Sequence, residues 1–258
     1  MPASLLIDQK DAVTTLTINR PEVRNALDSA TCHALRQAVE ACESDGTRCI
    51  IITGTGEAFS SGADIKEFFK LSATPEIIKR GLTENYAPML KAIRSSSWPV
   101  IAAVDGHAAG IGCDLALSCD LRLVSERAKF AEIFARVGLI PDGGGTYTLP
   151  RIIGLGRAME LMFTGRDVLA DEALRIGLAN STFPVETFTD EVMKFAFTIS
   201  KKSPHALKRG KAAMLEALNS TFEEALAREA QYQSEIFAQP DGIEGFQAFL
   251  EKREPVWK

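Results

Sequence analysis

Among the 34 acidic residues of this chain, Asp142 has an unusual setting: it sits in GLIPDGGGT, between a proline and three consecutive glycines. A turn needs one glycine or two. Three in a row, before an apolar run that reads as a helix, imply backbone lying close to another group. Either the glycines receive a phosphate and Asp142 is incidental, or Asp142 is a reagent and Gly143–Gly145 make room for its substrate. Pro-Asp-Gly is also ordinary turn chemistry. A second acid, Asp114, closes the glycine-rich stretch GHAAGIGCD, where it is either a working carboxylate or a favourable charge in the first turn of a helix.

The surrounding pattern supplies the elements that position these groups. Leu5–Asp8 and Val13–Ile18 read as paired strands about a polar turn at Gln9–Asp11. Asp28 caps a helix with apolar positions Leu35, Ala38, Val39 and Cys42 at helical spacing. Cys49–Ile52, Val100–Val104 and Leu121–Val124 are short β-branched runs, hence buried strands. Two of them end at glycine turns. Pro75–Ser97 is mostly helical, and a short helix begins near Leu115. From Val185 the pattern is helical only, over Val185–Ser200, Pro204–Asn219, Phe222–Phe237 and Ile243–Lys252. Strands alternating with helices predict an α/β fold with ligands where strand ends meet glycine turns.

Composition narrows the function classes. The chain has 258 residues, 46% hydrophobic and 24% charged, with a formal net charge of −5, which argues against nucleic acid or an anionic membrane as the main partner. No apolar run approaches the roughly 20 residues of a membrane span. The N-terminus has no basic segment followed by a long apolar one. Five scattered cysteines without a CxxC pair, and three histidines, make a zinc site improbable and suit a reduced, cytoplasmic protein. The loops GTGEAFSSGAD, GHAAGIGCD and GGGTYTLPR carry neither the dinucleotide GxGxxG nor the P-loop GxxxxGK[ST], and no GxSxG elbow occurs. Such turns have another use. Backbone N–H groups freed at a strand end or helix start can hold an oxygen that gains charge during reaction.

NRPEVRNAL, AFSSGADIKE, PVIAAVDGHAAGIGCDLALSCD, GLIPDGGGT and AFLEKREP occur in this order along the chain. Together they resemble the crotonase superfamily, the enoyl-CoA hydratase/isomerase family, over nearly the whole length. The resemblance implies a ClpP-like spiral of repeated ββα units over residues 1–200, and a C-terminal helical region over 201–258 that builds a homotrimer or a dimer of trimers. It implies an acyl-coenzyme A substrate, with coenzyme A entering as part of the substrate and no prosthetic group.

By the same resemblance, the N–H groups of Ala63 and Ile111 form the oxyanion hole. Arg24, Ala26, Ser61, Ala63, Asp64, Ile65 and Lys66 bind coenzyme A, with Lys66 and Arg24 the basic candidates for its phosphates. Phe249 and Lys252 reach the adenine end from a neighbouring subunit. Gly110, Phe134, Pro141 and Gly143 belong to the substrate pocket. Family hydratases use two glutamates. At the first position this chain has Asp114; at the second, ungapped counting places Phe134. Glu132 falls two residues earlier, nearly the opposite face if the segment is helical. Asp142 stands where other family members, such as the ring-epoxide isomerase of phenylacetate breakdown, place a single acid. The reading that follows is an enoyl-CoA isomerase with Asp142 as proton shuttle. The alternatives are a hydratase using Asp114 and Asp142, a hydrolase or dehalogenase with Asp142 as nucleophile, and a non-catalytic RNA-binding or scaffold member.

Overall fold

The structure is a computed structural model that describes residues 3–70 and 74–257. Its strands are β1 (Leu5–Lys10), β2 (Val13–Ile18), β3 (Cys49–Gly54), β4 (Ala58–Ser60), β5 (Val100–Val104), β6 (His107–Ala109), β7 (Leu121–Ser125), β8 (Lys129–Ala131), β9 (Val168–Leu169) and β10 (Ser181–Phe183). One sheet runs β1-β2-β3-β5-β7-β10 and the other β4-β6-β8-β9. The hairpin β1-β2 is antiparallel, and every later pairing in the large sheet is parallel. A parallel sheet must be covered on both faces, and the alternation of each strand supplies two cores. Ile50, Ile52, Val100, Ala102 and Val104 face the main core, whereas Ile51, Ile101, Ala103 and Leu123 pack on Phe188, Val192 and Ala196 of the helix Phe188–Ser200.

The expected spiral is present. β3, β5 and β7 are each followed by a three-residue strand of the small sheet, then by a helix or helical turn: Ile65–Lys70, Ile111–Ser118 and Ile133–Val137. The short strands β4 and β6 lie where sequence patterning shows only glycine-rich loops, and β8 where it shows no strand, because three residues are too few to display a period.

Several boundaries differ from the sequence expectation. The helix placed near Leu115 begins at Ile111, directly after Gly110. The Pro75–Ser97 stretch is not continuous α-helix. A π-helical segment, Leu82–Tyr86, separates Pro75–Gly81 from Ala87–Ser95, and Pro88, which has no N–H to donate, lies at its exit. The last helix starts at Pro240 rather than Ile243, with proline at its first position where the missing N–H costs nothing. Beyond residue 200 the chain forms three helices, Pro204–Ala217, Phe222–Phe237 and Pro240–Glu251. They expose Met214, Phe222, Phe246, Phe249 and Leu250.

Candidate active site

Two glycine turns carry the N–H groups of interest. Gly62 and Gly110 both have positive φ, 103° and 52°. A Cβ on Gly62 would stand 2.8 Å from the Ala109 carbonyl oxygen and 3.7 Å from the Ile111 nitrogen, so the two turns touch. Around Ala63, the bridge to Leu27 uses the Gly62 carbonyl and the Asp64 N–H, which leaves the Ala63 N–H directed away from it. Ile111 opens its helix and has no preceding turn to donate to. Neither N–H donates to a protein acceptor among the described residues. The Ile111 side chain is buried, with its Cδ1 packed toward Gly143.

One residue absent from the sequence reading holds this arrangement. Arg20 forms ion pairs with Asp64 at 2.8 Å and Asp28 at 3.1 Å, and also donates to the Ala26 carbonyl. It ties the NRPEVRNAL loop to the SSGAD turn. Burial alone would raise the Asp64 carboxyl, but the Arg20 hydrogen bond and charge hold it below its ordinary value. Asp64 thus works within the loop, and its Oδ1 also accepts the Lys66 N–H at 3.2 Å. Arg20→Met is expected to leave two carboxylates without their cation and to cost about 2 kcal/mol of stability, the scale of a hydrogen bond to a charged group. Denaturant titration checks this, and an unchanged midpoint would show that the loop needs no such tie.

The turns open on a cavity of about 340 Å³. Ser61, Ala63, Ile65, Gly110, Ile111, Phe134 and Asp142 line it, as do Ile78, Leu82 and Tyr86 from the helical stretch after residue 74. Asp142 is the one carboxylate on that wall among the described residues. It is accessible at the mouth, yet its apolar surroundings push its carboxyl above the ordinary value, opposed by its own backbone N–H.

The glycines after Asp142 do not chiefly make room for substrate. Gly143 and Gly145 are packed on Asp114. A Cβ on Gly143 would lie 2.6 Å from Asp114 Oδ2 and 2.6 Å from Ile111 Cδ1, and one on Gly145 would collide with Asp114 Oδ1. The Gly143 N–H donates to Asp114 Oδ2 at 2.9 Å. Gly144, with φ of 92°, faces open space. Asp114 is fully buried and does not line the cavity; nor do Pro141 and Gly143, which are buried behind it. Gly143→Ala is expected to lose about 1–3 kcal/mol of stability through overpacking and to displace Asp114. Thermal unfolding of the variant tests this, and a wild-type midpoint would refute the contact.

Glu132 stays off the cavity wall that Phe134 lines, as the sequence implies, but for a different reason. It does not lie on a helix beside Phe134 but directly follows β8, before the 3-10 turn Ile133–Val137. Continuing the strand's alternation, it turns inward with Phe130. Glu132 is 2% exposed, with the Cys113 thiol as a hydrogen-bonding neighbour. Burial pushes its carboxyl up to about 7, with the Cys113 thiol opposing and the Asp142 charge adding. Burial also drives Asp114 well above the usual carboxylate range, with Glu132 the next cause and the N–H groups of Gly143 and Gly145 opposing. Among the described residues no group of three or more His, Cys, Asp or Glu could hold a metal ion.

The remaining candidates are spread out. Arg24, Ile65 and Lys66 are exposed near the cavity mouth, and Ala26 is buried under Arg20. Phe249 is 81% exposed on the helix Pro240–Glu251, and Lys252 ends that helix with φ of 55°; neither lines the cavity. No helix of the described residues is long and apolar enough to cross a membrane.

Residues 8–258 match the family model described as enoyl-CoA hydratase/isomerase. The chain is 38% identical over 252 residues to a crotonyl-CoA hydratase of Syntrophomonas wolfei, covering 97% of this chain and 96% of that protein. It is 36% identical over 252 residues to a short-chain-enoyl-CoA hydratase of Clostridium acetobutylicum, covering 97% and 95%. A crystal structure of an enoyl-CoA hydratase from Bacillus anthracis superposes with a TM-score of 0.95 at 32% identity, covering 99% of both chains.

Proposed function

Because the chain belongs to the enoyl-CoA hydratase/isomerase family, whose members act on acyl-coenzyme A thioesters, we propose that it isomerises an enoyl-CoA through an enolate. The Ala63 and Ile111 N–H groups hold the thioester oxygen. Asp142 removes a proton from the carbon alpha or gamma to the thioester, and the electron pair moves onto that oxygen. The same carboxylic acid then returns the proton at the other end of the conjugated system. All electrons stay in the substrate, so the reaction calls for no prosthetic group. Loss of one oxyanion-hole donor typically costs about 3 kcal/mol of barrier.

The observation that carries this reading is Asp142 as the one carboxylate on the wall of an otherwise apolar cavity, among the described residues. A carboxylate beside an apolar wall, with its pKa raised, is a better base and keeps the proton it has taken. Arg24 and Lys66 at the mouth supply charge for the coenzyme's phosphates, and Ser61, Ala26, Asp64 and Ile65 shape the entry. The exposed apolar residues of the C-terminal helices suit an oligomer in which Phe249 and Lys252 meet a neighbour's coenzyme.

Hydration of a 2-enoyl-CoA is the second reading. It is favoured by the unpartnered Oδ1 of Asp114 behind Asp142 and by the hydratase names of the relatives. Mass spectrometry of products from 2-enoyl-, 3-enoyl- and ring acyl-CoAs in D₂O separates the two. Deuterium gained at carbon, without added water, supports isomerisation. A product heavier by one water assigns the chain to hydration.

A further inference from the structure

Tyr86 borders two hollows, and among the described residues it is the only one that does. One is the cavity that Ala63, Ile111 and Asp142 line. The other, of about 220 Å³, carries polar groups from Ser29, Glu67, Arg80, Glu84 and Asn85. The wall between them comes from the π-helical segment Leu82–Tyr86. There the Ala87 N–H donates to the Leu82 carbonyl, five residues back, in a wide turn of the kind frequent at functional sites. Ile78, Leu82 and Tyr86 all reach the cavity. Asn85 turns to the other side, where its amide donates to the Ser29 hydroxyl at 2.9 Å. Ser29 is fixed in turn, since its N–H donates to Glu67 Oε2 at 3.0 Å.

Tyr86 is held in place. It is buried, and its hydroxyl donates to the Leu27 carbonyl at 3.0 Å. That carbonyl also accepts the Asp64 N–H at 2.9 Å, within the bridge between Leu27 and Ala63. The ring is therefore tied to the stretch of backbone that presents the Ala63 N–H, and it cannot swing aside for a larger guest without breaking a buried hydrogen bond. With the hydroxyl on Leu27, Tyr86 offers the cavity an apolar ring beside Ile65, Ile78, Leu82 and Phe134. Ser61, the other hydroxyl on that wall, is engaged with the Val23 carbonyl at 3.1 Å. An acyl group there meets hydrocarbon nearly everywhere except at Asp142. We propose that Tyr86 is a specificity-determining residue of this site: its ring is a partition that limits the acyl group to a hydrocarbon of bounded size and keeps it out of the polar hollow behind. The inference rests on the acyl-CoA reading of the cavity, whether isomerisation or hydration follows.

The test is calorimetric titration of the full-length protein with saturated straight-chain acyl-CoAs from butanoyl to dodecanoyl, which carry no double bond to react. Wild type is compared with Tyr86→Ala, Tyr86→Leu and Tyr86→Phe, each checked for folding by its melting curve. In wild type the affinity should rise by about fourfold per methylene while the chain fits. It should then drop by about tenfold or more at the first length that presses on the ring, the scale of overpacking a filled space. In Tyr86→Ala the drop should move out by roughly two carbons or more, since the hollow behind holds several groups of water size at about 30 Å³ each. Tyr86→Leu refills part of the core, so it serves if the alanine variant does not fold, and it should move the drop the same way. Tyr86→Phe keeps the ring and should keep the wild-type limit. Wild-type affinity that climbs through the series without a drop, or a drop that stays in place in the folded Ala or Leu variant, would overturn the partition. A drop displaced as far in Tyr86→Phe would assign the limit to the Leu27 tie and not to the ring, and would overturn it too. If wild type binds no member of the series, the acyl-CoA reading itself fails and takes the inference with it.

Discussion

Asp142→Asn is expected to lower turnover by about 10²–10⁴-fold, the usual contribution of a positioned acid–base group, with little change in the affinity for the acyl-CoA. The amide fits the same space at the cavity mouth and keeps the turn, since the contacts that fix Gly143 and Gly145 involve Asp114 and not the Asp142 side chain. It cannot take a proton from carbon. Isothermal titration with a non-reactive thioester analogue, beside deuterium exchange into substrate, separates binding from proton transfer. A variant that exchanges at the wild-type rate would remove Asp142 from the chemistry and return it to an ordinary turn residue.

Glu132→Gln is expected to make the protein more stable above neutral pH. The Glu132 carboxyl stands at about 7 in the folded protein against an ordinary 4.5. Between those values the native state binds the proton more strongly than the unfolded chain, so its stability falls as pH rises through that window. The full loss above pH 7 is roughly 3–4 kcal/mol at most, taking about 1.4 kcal/mol for each unit of displacement. Glutamine is neutral throughout and suffers no such loss. Its unfolding midpoint should therefore exceed that of wild type at pH 8 and match it at pH 4.5, at one fixed protein concentration. Equal midpoints at pH 8 would mean that Glu132 is solvated or paired. A site acid held at a cost in stability is what a functional group in a core requires.

Much of this architecture was readable from residues alone, and the failures have physical causes. Short apolar, β-branched runs such as Val100–Val104 announced the large sheet, because a strand buried on both faces has no polar alternation to confuse it. The small sheet escaped notice, since β4, β6 and β8 have three residues each. That omission hid the burial of Glu132. Without β8 the segment reads as helix, and on a helix Glu132 and Phe134 diverge. With it, Phe130 and Glu132 share the inner face. The glycine triplet was legible as a close approach, but what approaches is a neighbouring carboxylate, which no local pattern can reveal. Arg20 likewise carries no local signal; its partner Asp64 lies 44 residues along the chain.

The contact of Gly143 with both Ile111 and Asp114 has a geometric outcome for selectivity. The residue that offers an N–H to the thioester oxygen and the turn that carries Asp142 are packed together through the Ile111 and Asp114 side chains, against a Gly143 that has no side chain to hold them apart. They form a ruler of fixed length. Whatever acyl chain fills the cavity, its thioester end is measured from the same origin. The carbon that meets Asp142 is then set by bond count from that end and not by how far the tail extends.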